Sequence, residues 1–188
     1  MVLLHEEHLR RFVQTWRLAM AVPVSLPPTA DPSYASLGAL GRHVLSAAGG
    51  YLVWICEVLR LPDPEVRPAP DAIAIVRDED DYLEHVLERW RAEALREISD
   101  EQLETPEYPS RWQTRYCIDS MLEHAIMHPI RHSFQLDELI RNTSFPDRPC
   151  SAISATGCHT ERLLHMEARL AGTVGVSRRM IGHADKER

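Results

Sequence analysis

Apolar residues recur at helical spacing in four long stretches of the chain, and proline-rich or polar stretches separate them. Within each stretch the apolar positions are three or four residues apart, which places them on one face of an α-helix. We therefore predict helices over residues 3–21, 36–59, 71–98 and 111–142. No stretch alternates apolar and polar residues with the period of two that a half-buried strand shows. The pattern predicts an all-α fold.

Each predicted helix carries an apolar stripe that would face a common core. Members of these stripes, helix by helix, include Leu4, Leu9, Phe12 and Trp16, then Val44, Tyr51 and Ile55, then Val86, Leu87 and Trp90, and finally Trp112, Leu122, Ile126, Ile130 and Phe134. Four long helices joined by loops predict a four-helix bundle. We assign residues 1–145 to this bundle and expect residues 146–188 to be a tail that is poorly ordered or loosely docked.

Prolines and polar residues mark the ends of the predicted helices. Prolines fill the connections at residues 23–32 and 61–70, where a helix cannot continue. Asp71 is predicted to cap the third helix by accepting hydrogen bonds from its first N–H groups. Residues 99–109 are polar, contain two prolines and are predicted to form a loop. Pro129 lies inside the fourth helix, where the loss of one backbone hydrogen bond predicts a kink.

Three histidines, His124, His128 and His132, follow one another at intervals of four residues in the fourth helix. Residues i and i+4 lie on one face roughly 6 Å apart, so two adjacent imidazoles can hold one metal ion. The first and last of the three are about 12 Å apart along the axis. Since zinc–nitrogen bonds are only about 2.0–2.1 Å long, all three cannot reach one ion. The helix supplies at most two adjacent ligands, and a third must come from elsewhere.

His43, in the first turns of the second helix, is the candidate third ligand. Helical bundles build sites in their cores from side chains on facing helices, and there His43 would join His128 and His132. A satisfied core or boundary histidine is the competing interpretation of His43. Three protein ligands and an open position are typical of a catalytic metal site. Neutral imidazoles favour zinc, nickel, copper or iron(II).

These segments resemble the DinB/YfiT-like metal-binding four-helix bundles. The resemblance lies in His43 within GRHVLSAAGGYLVW and in the segment EHAIMHPIRHSFQLDEL, and it covers residues 3–142. Members carry one histidine early in the second helix and an H-x3-H pair on the last bundle helix, followed by a glutamine three residues later. In this chain the pattern corresponds to His43, His128, His132 and Gln135, with His124 one turn before the pair.

The resemblance implies a metal-dependent function on a small molecule. Relatives include transferases that join low-molecular-weight thiols to small electrophiles, a thiol-dependent isomerase and many proteins with no known activity. It implies that His43, His128 and His132 bind a divalent ion, for which zinc and nickel are the leading candidates. It also implies a low-molecular-weight thiol as co-substrate. We therefore expect a thiol transferase. A metal-dependent hydrolase and a non-catalytic metal-binding or stress-associated bundle are the alternatives. Dimers are common among related bundles, which makes a homodimer an expectation here.

Catalytic groups other than the ligands are not identifiable from the sequence. Candidates for a base near the open position are Glu123, His124, His85 and the carboxylates of residues 78–81, which would otherwise form a solvated helix face. Gln135 is expected to bond to the backbone or to a group beside a ligand rather than to substrate. His5 and His8, in the first turns of the first helix, are expected to be solvated.

Length and charge limit the classes of partner. The chain has 188 residues, enough for one domain with a hydrophobic core. It carries 21 Lys and Arg against 28 Asp and Glu, a formal net charge of −7. This acidic balance argues against a protein that binds nucleic acid or an anionic membrane through its overall field. We expect neither as a partner.

Cysteine usage and the hydropathy of the chain predict a cytoplasmic protein. No run of about 18 apolar residues exists, and residues 1–12 lack the apolar core of a signal peptide. The four cysteines, Cys56, Cys117, Cys150 and Cys158, show no CxxC spacing, and we expect free thiols in a reducing compartment. A disulfide or metal role for Cys150 with Cys158 is the alternative.

Overall fold

The computed structural model describes residues 1–22, 24–92, 95 and 98–144, which belong to the unit Met1–Asp147. Five α-helices account for most of them: α1 (Val2–Ala21), α2 (Leu37–Leu59), α3 (Ile75–Arg91), α4 (Asp100–Glu104) and α5 (Ile118–Ser144). A short 3-10 helix, Pro32–Tyr34, precedes α2, and two strands, β1 (Tyr108–Pro109) and β2 (Arg115–Tyr116), precede α5. The prediction of a mainly helical fold is confirmed. The predicted tail, residues 146–188, lies outside the described residues.

The first two long helices begin and end where the pattern predicts, to within one residue. The hydroxyl of Ser36 accepts a hydrogen bond from the N–H of Ala39 at 3.0 Å, which satisfies one of the unpaired donors at the start of α2. Arg60 ends the same helix in the left-handed conformation, with φ of 56°, a common way to terminate a helix.

The third helix is shorter than predicted. Asp71 does accept hydrogen bonds, from the N–H groups of Ile73 (2.9 Å) and Ala74 (2.8 Å), but these form a turn that precedes the helix. The helix itself begins at Ile75 and ends at Arg91, since Ala92 has ψ of 150° and leaves the helical conformation. Residues 92–95 are good helix formers by type. Local propensity therefore does not explain this end.

A short helix, α4, lies within residues 99–109, which were predicted to form a loop. The side chain of Ser99 accepts a hydrogen bond from the N–H of Gln102, and the side chain of Gln102 accepts one from the N–H of Ser99 at 3.0 Å. This reciprocal capping box satisfies two donors at the helix start. It explains why a helix forms in so polar a segment.

A β-hairpin replaces the predicted start of the fourth helix. Strands β1 and β2 pair antiparallel, with Tyr108 opposite Tyr116. In the connecting turn Gln113 adopts a left-handed φ of 66°. As a result α5 begins at Ile118 rather than at residue 111, and the expectation that the chain contains no strand is wrong.

The helices α1, α2, α3 and α5 share one hydrophobic core. Its largest fully buried side chains are Trp16, Trp90, Phe12, Leu9, Leu40, Leu45, Leu52, Ile55, Ile75, Leu87, Ile118 and Met121. Two buried indoles join neighbouring helices: Nε1 of Trp16 donates to the carbonyl of Leu37 (2.7 Å), and Nε1 of Trp90 donates to that of Ala48 (3.0 Å). These bonds satisfy donors that burial would otherwise leave unpaired.

Several side chains of α1 and α5 do not lie where the pattern predicts. Leu4 is 44% exposed and Phe134 is 61% exposed, so neither belongs to the core. His5, expected to be solvated, is instead only 2% exposed and packs edge-on against Trp90 with ring centroids 4.6 Å apart. His8 is half-buried. The expectation that His5 is solvated is therefore wrong.

None of the described helices combines the length and the apolarity that crossing a membrane requires.

Candidate metal centre

Three histidines from two helices lie together. His43 extends from the first turns of α2, while His128 and His132 extend from α5, and one ring nitrogen of each lies within 4.8 Å of the others. The ring centroids are 4.9 Å apart for His43 and His128, 5.5 Å for His43 and His132, and 4.7 Å for His128 and His132. We call these three residues the histidine trio. The structure therefore brings together the residues that the sequence predicts as metal ligands.

The pair on α5 keeps its spacing despite the proline between its members. The helix runs from Ile118 to Ser144 through Pro129 without a break. The hydroxyl of Ser133 donates to the carbonyl of Pro129 at 2.9 Å, one turn away. His128 and His132 therefore remain one helical turn apart, and the kink expected at Pro129 stays a prediction.

The spacing of the trio suits a small metal ion. Two nitrogens bound tetrahedrally at about 2.0–2.1 Å are about 3.4 Å apart. Nε2 of His43 lies 3.1 Å from Nε2 of His128, already close to that value. With all three nitrogens within 4.8 Å, no pair would have to close by more than about 1.4 Å.

Gln135 fixes the orientation of one member of the trio. Nδ1 of His132 donates its proton to the side-chain oxygen of Gln135, at 2.7 Å, because that amide oxygen can only accept. The lone pair of the ring is then on Nε2, which is the atom left to bind a metal. Metal-ligating histidines commonly make such a bond through their other nitrogen. Gln135 therefore bonds to a member of the trio itself, whereas the expected partner was the backbone or a group beside a ligand.

Burial keeps the imidazoles of α5 in the form that binds metal. Burial, and after it the neighbouring His43, lowers the pKa of His132 to about 4, although the bond to Gln135 acts in the opposite direction. Burial, followed by His132 and His43, also holds the pKa of His128 well below its usual value. At neutral pH both rings are neutral and have a lone pair to offer.

One polar atom of the trio is buried without a hydrogen-bond partner among the described residues. This atom is Nδ1 of His128. An unpaired buried polar atom costs about 1–3 kcal/mol, and an apolar side chain in its place would avoid that cost. The stability of the fold does not explain a histidine here, whereas ligation through the opposite nitrogen does.

The third histidine of the α5 series lies outside the trio. The ring of His124 is 6.3 Å from that of His128 and packs instead against aromatic rings: Tyr51 at 5.3 Å, Trp112 at 5.6 Å and Tyr116 at 5.8 Å. This separation agrees with the helical rise, which prevents His124 and His132 from sharing one ion.

Two tyrosines that the sequence did not single out also flank the trio. Tyr34, from the 3-10 helix, lies 6.2 Å from the ring of His43 and 5.9 Å from that of His132. Tyr51 lies 5.8 Å from His128. The position of Tyr51, eight residues after His43 on the same face of α2, is a signal that could have identified it. No comparable pattern marks Tyr34.

The other predicted acid–base candidates are engaged elsewhere. The four carboxylates at residues 78–81 of α3 all form ion pairs with arginines. The pairs are Asp78–Arg77, Glu79–Arg17, Asp80–Arg17 and Asp81–Arg67. Nε2 of His85 accepts a hydrogen bond from the N–H of Arg67 at 3.0 Å. Glu123 is exposed on α5. Of all the candidates, only His124 is shown in contact with a member of the trio.

The two described cysteines form no disulfide with each other. Cys56 is buried and Cys117 is half-buried. Burial raises the pKa of the Cys56 thiol, which makes it a poor nucleophile. Cys150 and Cys158, for which a disulfide or metal role was the alternative, lie outside the described residues.

Comparisons with known proteins do not assign the chain to a family. No family model matches it, and neither does a curated protein or a solved structure. The resemblance to the DinB/YfiT-like bundles therefore stays a prediction, based on the trio, Gln135 and the segments around them. The case for a metal centre is made by the geometry of the trio alone.

Proposed function

We propose that this chain is a metal-binding protein of the DinB/YfiT type, with α1, α2, α3 and α5 as the helices of a four-helix bundle. His43, His128 and His132 would hold one divalent ion. The observation that carries the proposal is the meeting of three imidazole nitrogens, from two helices, within 4.8 Å. Nitrogen ligands suit zinc or nickel, whereas calcium and magnesium take oxygen ligands.

The reaction that we propose joins a low-molecular-weight thiol to a small electrophile. A divalent ion with an open position would lower the pKa of a thiol and so provide a nucleophile at neutral pH. The chain contributes neutral imidazoles, which do not offset the charge of the ion. It also contributes Gln135, which holds Nε2 of His132 in place as the donor atom. The aromatic rings of Tyr34 and Tyr51 flank the trio.

Turnover assays test this activity. The protein would be assayed with glutathione or 2-mercaptoethanol as thiol and a chromogenic aryl halide as electrophile, before and after treatment with a chelator. We expect a rate that requires thiol, is lost on chelation and returns when zinc or nickel is added. Bound metal without turnover would favour the non-catalytic alternative. A metal-dependent rate that ignores thiol would favour a hydrolase.

Substitution of single histidines tests the ligand assignment. His128→Ala and His132→Ala should each abolish stoichiometric metal binding, because two imidazoles hold an ion far more weakly than three. His124→Ala is the matched control on the same helix and should retain the metal. One ion per chain in either of the first two variants would refute the assignment.

The proposal extends to partners. We propose a small molecule as substrate, rather than nucleic acid or a membrane, and a homodimer as the oligomeric state that the family resemblance predicts. Sedimentation of the metal-loaded protein would detect a dimer as a species of twice the chain mass of 21.5 kDa. A monomer at micromolar concentration would contradict that part of the proposal.

A further inference from the structure

Ring-bearing side chains continue from the histidine trio toward the β-hairpin. Tyr51 of α2 contacts both His128 and His124, with ring centroids 5.8 and 5.3 Å away. Trp112 and Tyr116, at the hairpin, lie 5.6 and 5.8 Å from His124 and 5.7 Å from each other. We call Tyr51, Trp112, Tyr116 and His124 the ring platform. It starts beside His128, a member of the trio, and extends to Trp112 at the surface.

Trp112 occupies a position that neither the turn nor the core explains. It lies in the turn between β1 and β2, where small and polar residues are preferred. Its side chain is 46% exposed, so burial in the core does not account for it. Its ring is instead tilted by 31° to that of His124 and lies edge-on to that of Tyr51, at 6.3 Å. An indole placed in this way extends the platform and presents apolar surface to solvent.

The hairpin that carries Trp112 is fixed to the helix that carries His43 and Tyr51. Nε1 of Trp54, on α2, donates to the carbonyl of Pro109 at 3.0 Å, and the ring of Trp54 lies 6.2 Å from that of Tyr108. Within the turn, the N–H of Ser110 donates to the carbonyl of Thr114 at 2.8 Å. The platform and the trio therefore share one support, as a preorganised binding site requires.

We infer that the ring platform binds an uncharged, planar aromatic group of a molecule that is held at the trio; this inference rests on the proposed metal site. Aromatic pairs favour offset-stacked or edge-to-face contacts with centroids about 4.5–7 Å apart, and the exposed part of Trp112 offers such a contact. The platform thus selects substrates whose reactive group reaches the trio while a flat ring lies against Trp112.

The charges around the trio favour an uncharged ring over a cation. Aromatic faces also attract cations. However, three neutral imidazoles leave the charge of a divalent ion undiminished, and Arg131 adds positive charge that acts on both His128 and His132. A cationic group at the platform would be repelled by both.

Thiol binding to the cobalt(II)-loaded protein tests the inference without turnover. The thiols are 2-phenylethanethiol and 2-cyclohexylethanethiol, which match in length but differ in the planarity of the ring. The thiolate-to-cobalt absorption band reports only thiol bound at the metal. We expect the wild type to bind the phenyl compound about three- to tenfold more tightly, the range of one aromatic contact.

Variants locate this preference. Trp112→Ala should bind the two thiols equally, and Trp112→Phe should keep part of the preference. Phe134→Ala removes another exposed ring, on α5, and should leave the preference unchanged. All variants should hold one cobalt per chain, which shows that the trio is intact.

A visible thiolate band with equal affinities in the wild type, or a preference that persists in Trp112→Ala, would overturn the inference and leave the metal site standing. Failure of the proposed function looks different: no cobalt would bind, or cobalt would bind and neither thiol would produce a band. Either of those results would overturn the inference together with the proposal on which it rests.

Discussion

Acidification should destabilise the wild-type protein more than a His5→Leu variant. His5 is buried on α1 against Trp90, and neither of its ring nitrogens has a hydrogen-bond partner among the described residues. It lines a small cavity together with the apolar side chains of Leu122 and Ile126. Burial, and after it the nearby His8, lowers the pKa of His5 from 6.5 to about 4. The folded protein therefore resists a proton that the unfolded chain accepts.

The sign and the size of the effect follow from this difference in pKa. Between pH 6.5 and pH 4 the unfolded state binds more protons at this residue, so the free energy of unfolding falls as the pH falls. At about 1.36 kcal/mol per pH unit, the full loss is roughly 3 kcal/mol near pH 4, and roughly 2 kcal/mol is lost by pH 5. Protonation of His128 and His132 also lowers the free energy of unfolding in acid. Both residues are present in the wild type and in the variant, so their contributions cancel in the comparison.

Urea unfolding of the metal-free proteins at pH 7 and pH 5 measures this effect. We expect His5→Leu to be at least as stable as the wild type at pH 7, because it removes unpaired polar atoms from an apolar site. Its advantage should grow by roughly 2 kcal/mol at pH 5. His8→Leu, on the same helix, is the control and should show little growth. Equal losses of stability in the wild type and in His5→Leu would refute the reasoning.

Two further substitution experiments test the packing of α2 and the support of the trio. Gly41→Ala should destabilise the protein by about 1–3 kcal/mol, because the added Cβ would lie 2.7 Å from the ring of Trp16. That ring cannot move away freely, since its Nε1 donates a hydrogen bond to the carbonyl of Leu37. Gly50→Ala, with nothing within 4 Å of its added Cβ, should instead stabilise it by about 1 kcal/mol. Gln135→Leu should weaken zinc binding about 10–100-fold in calorimetric titrations, since His132 loses its acceptor.

These experiments have clear contrary outcomes. Equal changes in unfolding free energy for the two glycine variants would mean that helix propensity, rather than the contact with Trp16, decides both. Gln135→Glu is the control, because it keeps an acceptor for His132. An unchanged zinc affinity in Gln135→Leu would mean that the bond to His132 does not support ligation.

The histidine trio was predictable because helical geometry limits which side chains can meet. The interval of four residues places His128 beside both His124 and His132, and the helical rise prevents all three from sharing one ion. The choice of His132 over His124 came from the family resemblance. Whether His43 meets His128 and His132 depends on how α2 packs against α5. The sequence alone can therefore name His43 only as a candidate third ligand. The surrounding rings were harder to foresee, because Tyr34 and Trp112 come from turns whose positions no periodic pattern fixes.

The misplaced side chains have simple geometric causes. Positions 5, 9, 12 and 16 of α1 form one stripe at helical spacing, so His5 lies on the buried face although its polarity suggested solvent. In α5, the predicted stripe advances by four residues at each step from Leu122 to Phe134, and the same step leads back to the buried Ile118. Each such step turns about 40° beyond a full circle, and four steps turn about 160°, which carries Phe134 to the opposite face.

The segment before α5 shows a different limit. Strands of two residues are too short to show an alternating pattern, so the hairpin of Tyr108 and Tyr116 leaves no periodic signal. The helix α4, by contrast, has a recognisable signal in the sequence, because Ser99 and Gln102 match the S-x-x-Q motif of a capping box.

Elemental analysis of protein purified without a histidine tag tests the metal centre most directly. The wild type and His124→Ala should each contain about one zinc or nickel per chain, and His43→Ala should contain none. Equal metal in His43→Ala, or no metal in the wild type even after reloading, would contradict a three-histidine metal site.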